Sequence, residues 1–159
     1  MNTLSLQLKA YRYEIDGKPW PDPHFQTDYL IDGASLGEAY QFESSRPWFG
    51  QTCFERKGEV LAEMVLQLRG LAPSFNQFGT NRFVLYRCHC GDDYCGIISC
   101  KIERKHSAIH WIDVRYEDDD DSEEEAMFSK AISLLEFDLM AYDNVIARYI
   151  QNGKSGGTP

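Results

Sequence analysis

Four of the five cysteines, Cys88, Cys90, Cys95 and Cys100, fall within the stretch "CHCGDDYCGIISC". Four thiolates are enough in number for a tetrahedral zinc ion. The spacing, however, lacks the paired C-x2-C units that zinc ribbons bring together from separate turns. On a hairpin turning at "GDD", Cys88 and Cys90 share a face by the two-residue period of a strand, and Cys95 has the opposite parity to Cys100. The thiols therefore read first as small buried hydrophobes and turn residues. A metal-binding or redox-responsive protein using Cys88, Cys90, Cys95 and Cys100 is the alternative. For redox chemistry the C-x-x-C spacing is missing, and no arginine pair or lysine is evidently placed to lower a thiol pKa.

Nucleophilic catalysis needs a base held near the nucleophile. The four histidines, His24, His89, His106 and His110, are scattered over a proline loop, the hairpin and a strand turn. Pairing Cys88 or Cys90 with His106 is the one arrangement a folded hairpin suggests, and it is weaker than reading all four as turn and strand residues. There is no phosphate-binding glycine loop, no H-E-x-x-H and no G-x-S-x-G. The reading is of a protein that is not an enzyme and carries no cofactor.

The second chemical feature is "EDDDDSEEE", residues Glu117, Asp118, Asp119, Asp120, Asp121, Glu123, Glu124 and Glu125 around one serine. It lacks the glycine and alternating ligands of an EF-hand. A charge run is ordinarily a solvated loop. Its functional reading is electrostatic: beside an exposed Trp111 and Tyr116, these carboxylates would steer a cationic protein surface. The whole chain agrees, since 25 acidic against 16 basic side chains give a net charge of −9. That balance argues against a nucleic-acid backbone or an anionic membrane as direct partner. Trp20 and Trp48, beside prolines, read as seals at a core edge.

These groups need a scaffold, and 159 residues with 43% hydrophobic content can bury one continuous core. Alternation in "NTLSLQLKAYRYEID" predicts one long strand with a bulge near Ala10. "FQTDYLIDG" predicts a second strand closed at Asp32-Gly33. "SLGE", from Ser35 to Glu38, has capping-box spacing for a short helix. "GEVLAEMVLQLRG" carries apolar residues at helical intervals up to a stop at Gly70, with a buried strand as the other reading. "RFVLYRC", "CGIISCKIERK" and "AIHWIDVRYE" predict a three-stranded meander. In "ISLLEFDLMAYDNVIARYIQN" a strand or a helix precedes a firm helix from about Leu139 to Gln151.

The expected fold is therefore α+β: a single domain over 1–152, with an antiparallel meander, a few helices including a C-terminal amphipathic one, and a tail over 153–159. The opening residues have no secretion signal, no stretch is long enough to span a membrane, and the cysteine count is odd. Together these point to a cytoplasmic protein.

Cys90, Gly91, Cys95, Gly96 and Trp111 also carry a resemblance. A strand ending in C-x-C-G, a "CG" return strand and a strand with tryptophan before an acidic loop resemble small bacterial immunity-type proteins of polymorphic toxin and contact-dependent growth inhibition systems. "IDGASL" and "FDLMAYDNVIARY" resemble the same group. At Ile109 the chain departs from that group's valine-like position. The resemblance implies a cytoplasmic protein that binds and neutralises a cognate toxin domain, and it assigns no catalytic residue.

Overall fold

The computed structural model describes residues 1–11, 14–15, 17–19, 24–40, 51–88, 92–117 and 131–153. They form a single α+β domain with two antiparallel sheets and three helices, as expected.

The first sheet pairs β1 (Leu4–Tyr11) with β4 (His24–Ile31), and β4 with the short β5 (Ala34–Ser35). The bulge expected near Ala10 is absent, because β1 and β4 run in unbroken register through Ala10 opposite Phe25 and Tyr11 opposite His24. β2 (Glu14–Ile15) and β3 (Lys18–Pro19) pair with one another as a separate antiparallel ribbon. Between β4 and β5 the turn is Asp32-Gly33, both at positive φ (52° and 83°). This is the backbone that a two-residue hairpin of matching twist requires. Asp32 reaches back from it to accept from the Asn2 side chain and the Thr3 amide, which hold its carboxyl below the usual range.

α1 (Leu36–Ala39) is a single turn whose first amides are capped by Ser35, which accepts from Glu38 at 3.1 Å. α2 (Gly58–Leu68) is the helix and not the buried strand. It ends because Gly70 takes φ 68°, the Gly70 amide donates to Gln67 and the Leu71 amide to Leu66. That pair of bonds closes a Schellman motif. Just before α2, Glu55 accepts from the Thr52 and Thr27 amides, tying a 3-10 turn, Cys53–Glu55, to β4.

The second sheet has the order β6 (Phe83–Arg87), β7 (Ile97–Arg104), β8 (Ala108–Glu117) and β9 (Ile132–Asp138). The predicted meander is its first three strands, and "ISLLEFD" is the fourth. Helix α3 (Leu139–Gln151) follows at once, with Asp138 capping the Ala141 amide at 2.9 Å. It lies against β1, β8 and β9.

The sheets face one another through aromatic rings. Tyr29 of β4 meets Trp111 of β8 edge-on at 5.5 Å and Tyr86 of β6 at 5.4 Å, and Trp111 meets Phe137 of β9 at 5.1 Å. Such tilted pairs suit the ring quadrupoles and add about 0.5–1.5 kcal/mol each beyond their burial. Polar ends inside this core are paired. Trp111 Nε1 donates to Tyr142 Oη at 3.0 Å, and Tyr142 donates onward to the Leu68 carbonyl at 2.7 Å. Asp28, wholly buried, receives Lys9 at 2.8 Å together with the hydroxyls of Ser35 and Tyr86. Among the described residues no helix is long and apolar enough to cross a membrane.

Candidate functional site

Of the residues expected at a partner surface, Trp111, Tyr116 and Glu117 are described, and their expected exposure is corrected by the fold. They are 0%, 4% and 8% exposed. The reason is a bulge. Lys101 faces Ile112 and Ser99 faces Arg115, so Asp113 and Val114 together oppose Cys100, and Asp113 takes φ 54°. The extra residue resets the alternation of β8. Ile109 and Trp111 point into the core before it, and Val114 and Tyr116 point into the core after it. Strict alternation would have put Trp111 and Tyr116 on opposite faces. Asp118, Asp119, Asp120, Asp121, Glu123, Glu124 and Glu125 lie outside the described residues, as do Trp20, Trp48 and the tail from 154 onward.

Glu117 faces away from the core and is nonetheless covered. Its Oε1 accepts from Ser99 Oγ at 2.8 Å and Thr80 Oγ1 at 3.2 Å, and lies 3.6 Å from Arg82 Nε. Arg82 also donates to Ser99 Oγ and carbonyl, and to the carboxylate and carbonyl of Asp113. A guanidinium fork satisfied on all sides holds the bulge and the end of β8 in one geometry. The acidic run begins at the next residue.

Thr80 belongs to the loop that joins α2 to β6. Its centre is Asn76, 1% exposed, whose Oδ1 accepts from the Phe78 and Thr80 amides at 3.0 and 3.3 Å. The Asn76 Nδ2 donates to Thr80 Oγ1 at 2.6 Å and to the Arg82 carbonyl at 3.0 Å. A reciprocal pair, Gln77 amide to Asp93 Oδ2 and Asp93 amide to Gln77 Oε1, docks this loop on the 3-10 turn Asp93–Cys95. The rings of Phe78 and Tyr94 meet edge-on at 5.3 Å, while Phe75 is 69% and Tyr94 53% exposed. The signal in sequence was an uncharged "LAPSFNQFGTN" with two phenylalanines, which a solvated loop has no need of.

Comparison of the chain with family models, with characterised proteins and with solved structures finds no match.

The cysteine cluster is taken apart by the sheet. Cys88 follows Arg87, which pairs with Ile97, whereas Cys100 pairs with Phe83 further down the ladder. Four strand residues of separation along the ladder are roughly 13 Å, too far for one metal ion to bind both sulfurs. A four-thiolate centre that includes Cys100 is thereby corrected. Cys90 and the Cys95 side chain lie outside what is described, and among the described residues no three histidine, cysteine or carboxylate side chains converge as ligands. The Cys88–His106 pairing is corrected too. Cys88 stands at the start of β7 and His106 beyond its end, with roughly 26 Å of strand between them. His110 instead pairs across the ladder with Glu136 at 2.8 Å. His24 lies in β4 and His89 lies outside the described residues.

An arginine pair, not evident in sequence, does stand near a thiol, but the thiol is Cys53. Arg87 is held by Asp93 at 3.5 Å, and burial and the neighbouring Arg56 charge lower its pKa from the ordinary value. Its charge favours the Cys53 thiolate, yet burial dominates and pushes that thiol up to about 12. Burial likewise raises Cys100. Neither is an activated nucleophile.

Proposed function

We propose that this protein is an immunity-type binding protein, which holds a cognate toxin domain inactive in the cytoplasm by covering its active site or locking an inactive form. The observation that carries the reading is where the acidic run is mounted. Seven carboxylates, Asp118 to Asp121 and Glu123 to Glu125, start one residue beyond Glu117, whose side chain is fixed by Ser99, Thr80 and Arg82. The flanking strands β8 and β9 are neighbours in the sheet. A dense negative charge tethered at both ends to a rigid sheet is suited to fast, salt-sensitive capture of a basic protein. A nuclease is the toxin class that fits best, because a cleft built for phosphates is positive. The likeness of Cys90, Gly91, Cys95, Gly96 and Trp111 to small immunity-type proteins supports the same reading.

Co-expression with a toxin domain, sought first among the products of neighbouring genes, tests it. The complex should co-purify, protect the cell, and weaken at least tenfold with a flattened salt dependence when the seven carboxylates become amides. No protection, or unchanged affinity and salt dependence in the amide variant, would overturn the reading.

A further inference from the structure

Phe75 and Tyr94 are two of the three most exposed aromatic side chains among the described residues, and the backbone that carries them is held in place. Phe75 precedes the buried Asn76, and its own amide donates to Gln67 Oε1 at 3.3 Å, which ties the loop back to α2. On the other side of Asn76, Phe78 leans on Tyr94, and the Tyr94 amide is fixed by Asp92 Oδ1 at 2.9 Å. A loop free to move would fold two phenylalanines away from water. This one is nailed by the hydrogen bonds of Asn76 and by the Gln77–Asp93 pair, so the cost of ordering the rings is met before any partner arrives. Exposed, preorganised aromatic rings are the usual anchors of protein interfaces.

The surrounding charge identifies the partner. Residues 70–80 carry no charged side chain, and the charged side chain exposed beside the tyrosine is Asp92, since Asp93 is buried and paired with Arg87. Thr80, four residues beyond Asn76, hydrogen-bonds Glu117, after which the acidic run begins. No lysine or arginine belongs to either segment that presents the rings. An aromatic face beside an exposed carboxylate such as Asp92 attracts a guanidinium group twice, through the ring quadrupole and through charge.

We propose that Phe75, Phe78 and Tyr94 form the apolar centre of a docking surface for a cationic protein face, one that lays arginine side chains on the rings. This rests on the reading of the chain as a binder of a basic protein, and it supplies the anchor that buried Trp111 and Tyr116 do not.

The test titrates the isotope-labelled full chain with an arginine octapeptide and a lysine octapeptide, following amide shifts. The arginine peptide should move the amides of 75–80 and 92–95 and bind several-fold more tightly than the lysine peptide. The double variant F75S/Y94S, altering two side chains more than half exposed, should lose at least tenfold in arginine-peptide affinity with an unchanged melting temperature. Shifts confined to other surfaces, equal binding of the two peptides, or parental affinity in the double variant would overturn the surface. If the double variant binds as the parent does while the amide variant of the acidic run fails, the surface falls and the acidic reading stands. The reverse result upholds the surface and removes the run as the steering element. Sedimentation that shows a dimer dissolved by F75S/Y94S would make a second copy of the chain the occupant, and would overturn the cationic partner.

Discussion

Ser99 Oγ donates to Glu117 Oε1 at 2.8 Å, diagonally across the β7–β8 ladder. That bond and the Arg82 fork beside it make the end of β8 a fixed point. Glu117→Ala should lower stability by about 3 kcal/mol, because it strands part of a nearly buried guanidinium. Glu117→Gln should cost less, since an amide oxygen still accepts from Ser99. Urea unfolding of the two variants measures the difference, and equal losses would contradict a role for the acceptor.

Gly96 is required by its conformation and by its neighbour. It sits at φ 102°, and a Cβ there would run into the Tyr116 ring, with Cε2 at 2.7 Å and the hydroxyl also in the way. Gly96→Ala should therefore destabilise by about 2 kcal/mol or more. Pairing it with Tyr116→Ala should recover the steric part. A double variant no better than the sum of the two single losses would show that backbone strain alone sets the cost.

Acid stability should be governed in part by Asp143. Burial would raise its carboxyl, but hydrogen bonds from Arg104 and Arg69 at 2.8 and 3.0 Å outweigh that and hold it below the ordinary value. The unfolded chain, with an aspartate near about 3.9, then takes up protons before the folded one does. The stabilisation is complete above that value and is lost as pH falls through the lower, folded value. Asp143→Asn should lower the melting temperature at pH 6 and narrow its gap to the parent below pH 4. A gap that stays constant with pH would refute the linkage.

Cys53 and Cys100 should resist thiol reagents in the folded protein. Both are almost fully buried, and burial raises both thiols, Cys53 to about 12. At pH 8 roughly one Cys53 in ten thousand would be thiolate even if reached. Mass mapping after brief treatment with a thiol reagent should find both unmodified, and modified once urea is added.

The elements of the fold were legible where one local signal sufficed: the Asp32-Gly33 turn, the Ser35 cap, the Gly70 stop and the meander. The placement of side chains was legible only as far as strict alternation held. At Asp113 one extra residue resets β8, and no propensity marks it, since an aspartate at positive φ is unremarkable in sequence. For that reason Trp111 and Tyr116, which strict alternation puts on opposite faces, are both core. The Asn76 loop was illegible for a different reason. Its order comes from the Arg82 carbonyl at its end, from Asp93 in a 3-10 turn and from Glu117 in β8, whereas its own residues read as an ordinary connection.

Asn2 has a consequence for how the molecule is made. Its amide donates to the Glu136 carbonyl at 2.7 Å and its side chain accepts the Glu136 amide, 134 residues away, while Thr27 meets Tyr149 across 122 residues. As the chain leaves the ribosome, β1 and β4 can pair early and Tyr29 can meet Phe54, Tyr86 and Trp111 as they emerge, but α3, which lies against β1, comes last. Contacts of such long range form late. Nearly the whole polypeptide is thus synthesised before the helix that packs on its first strand exists, and the unfinished chain carries Leu4 and Leu6 without that helix throughout the interval.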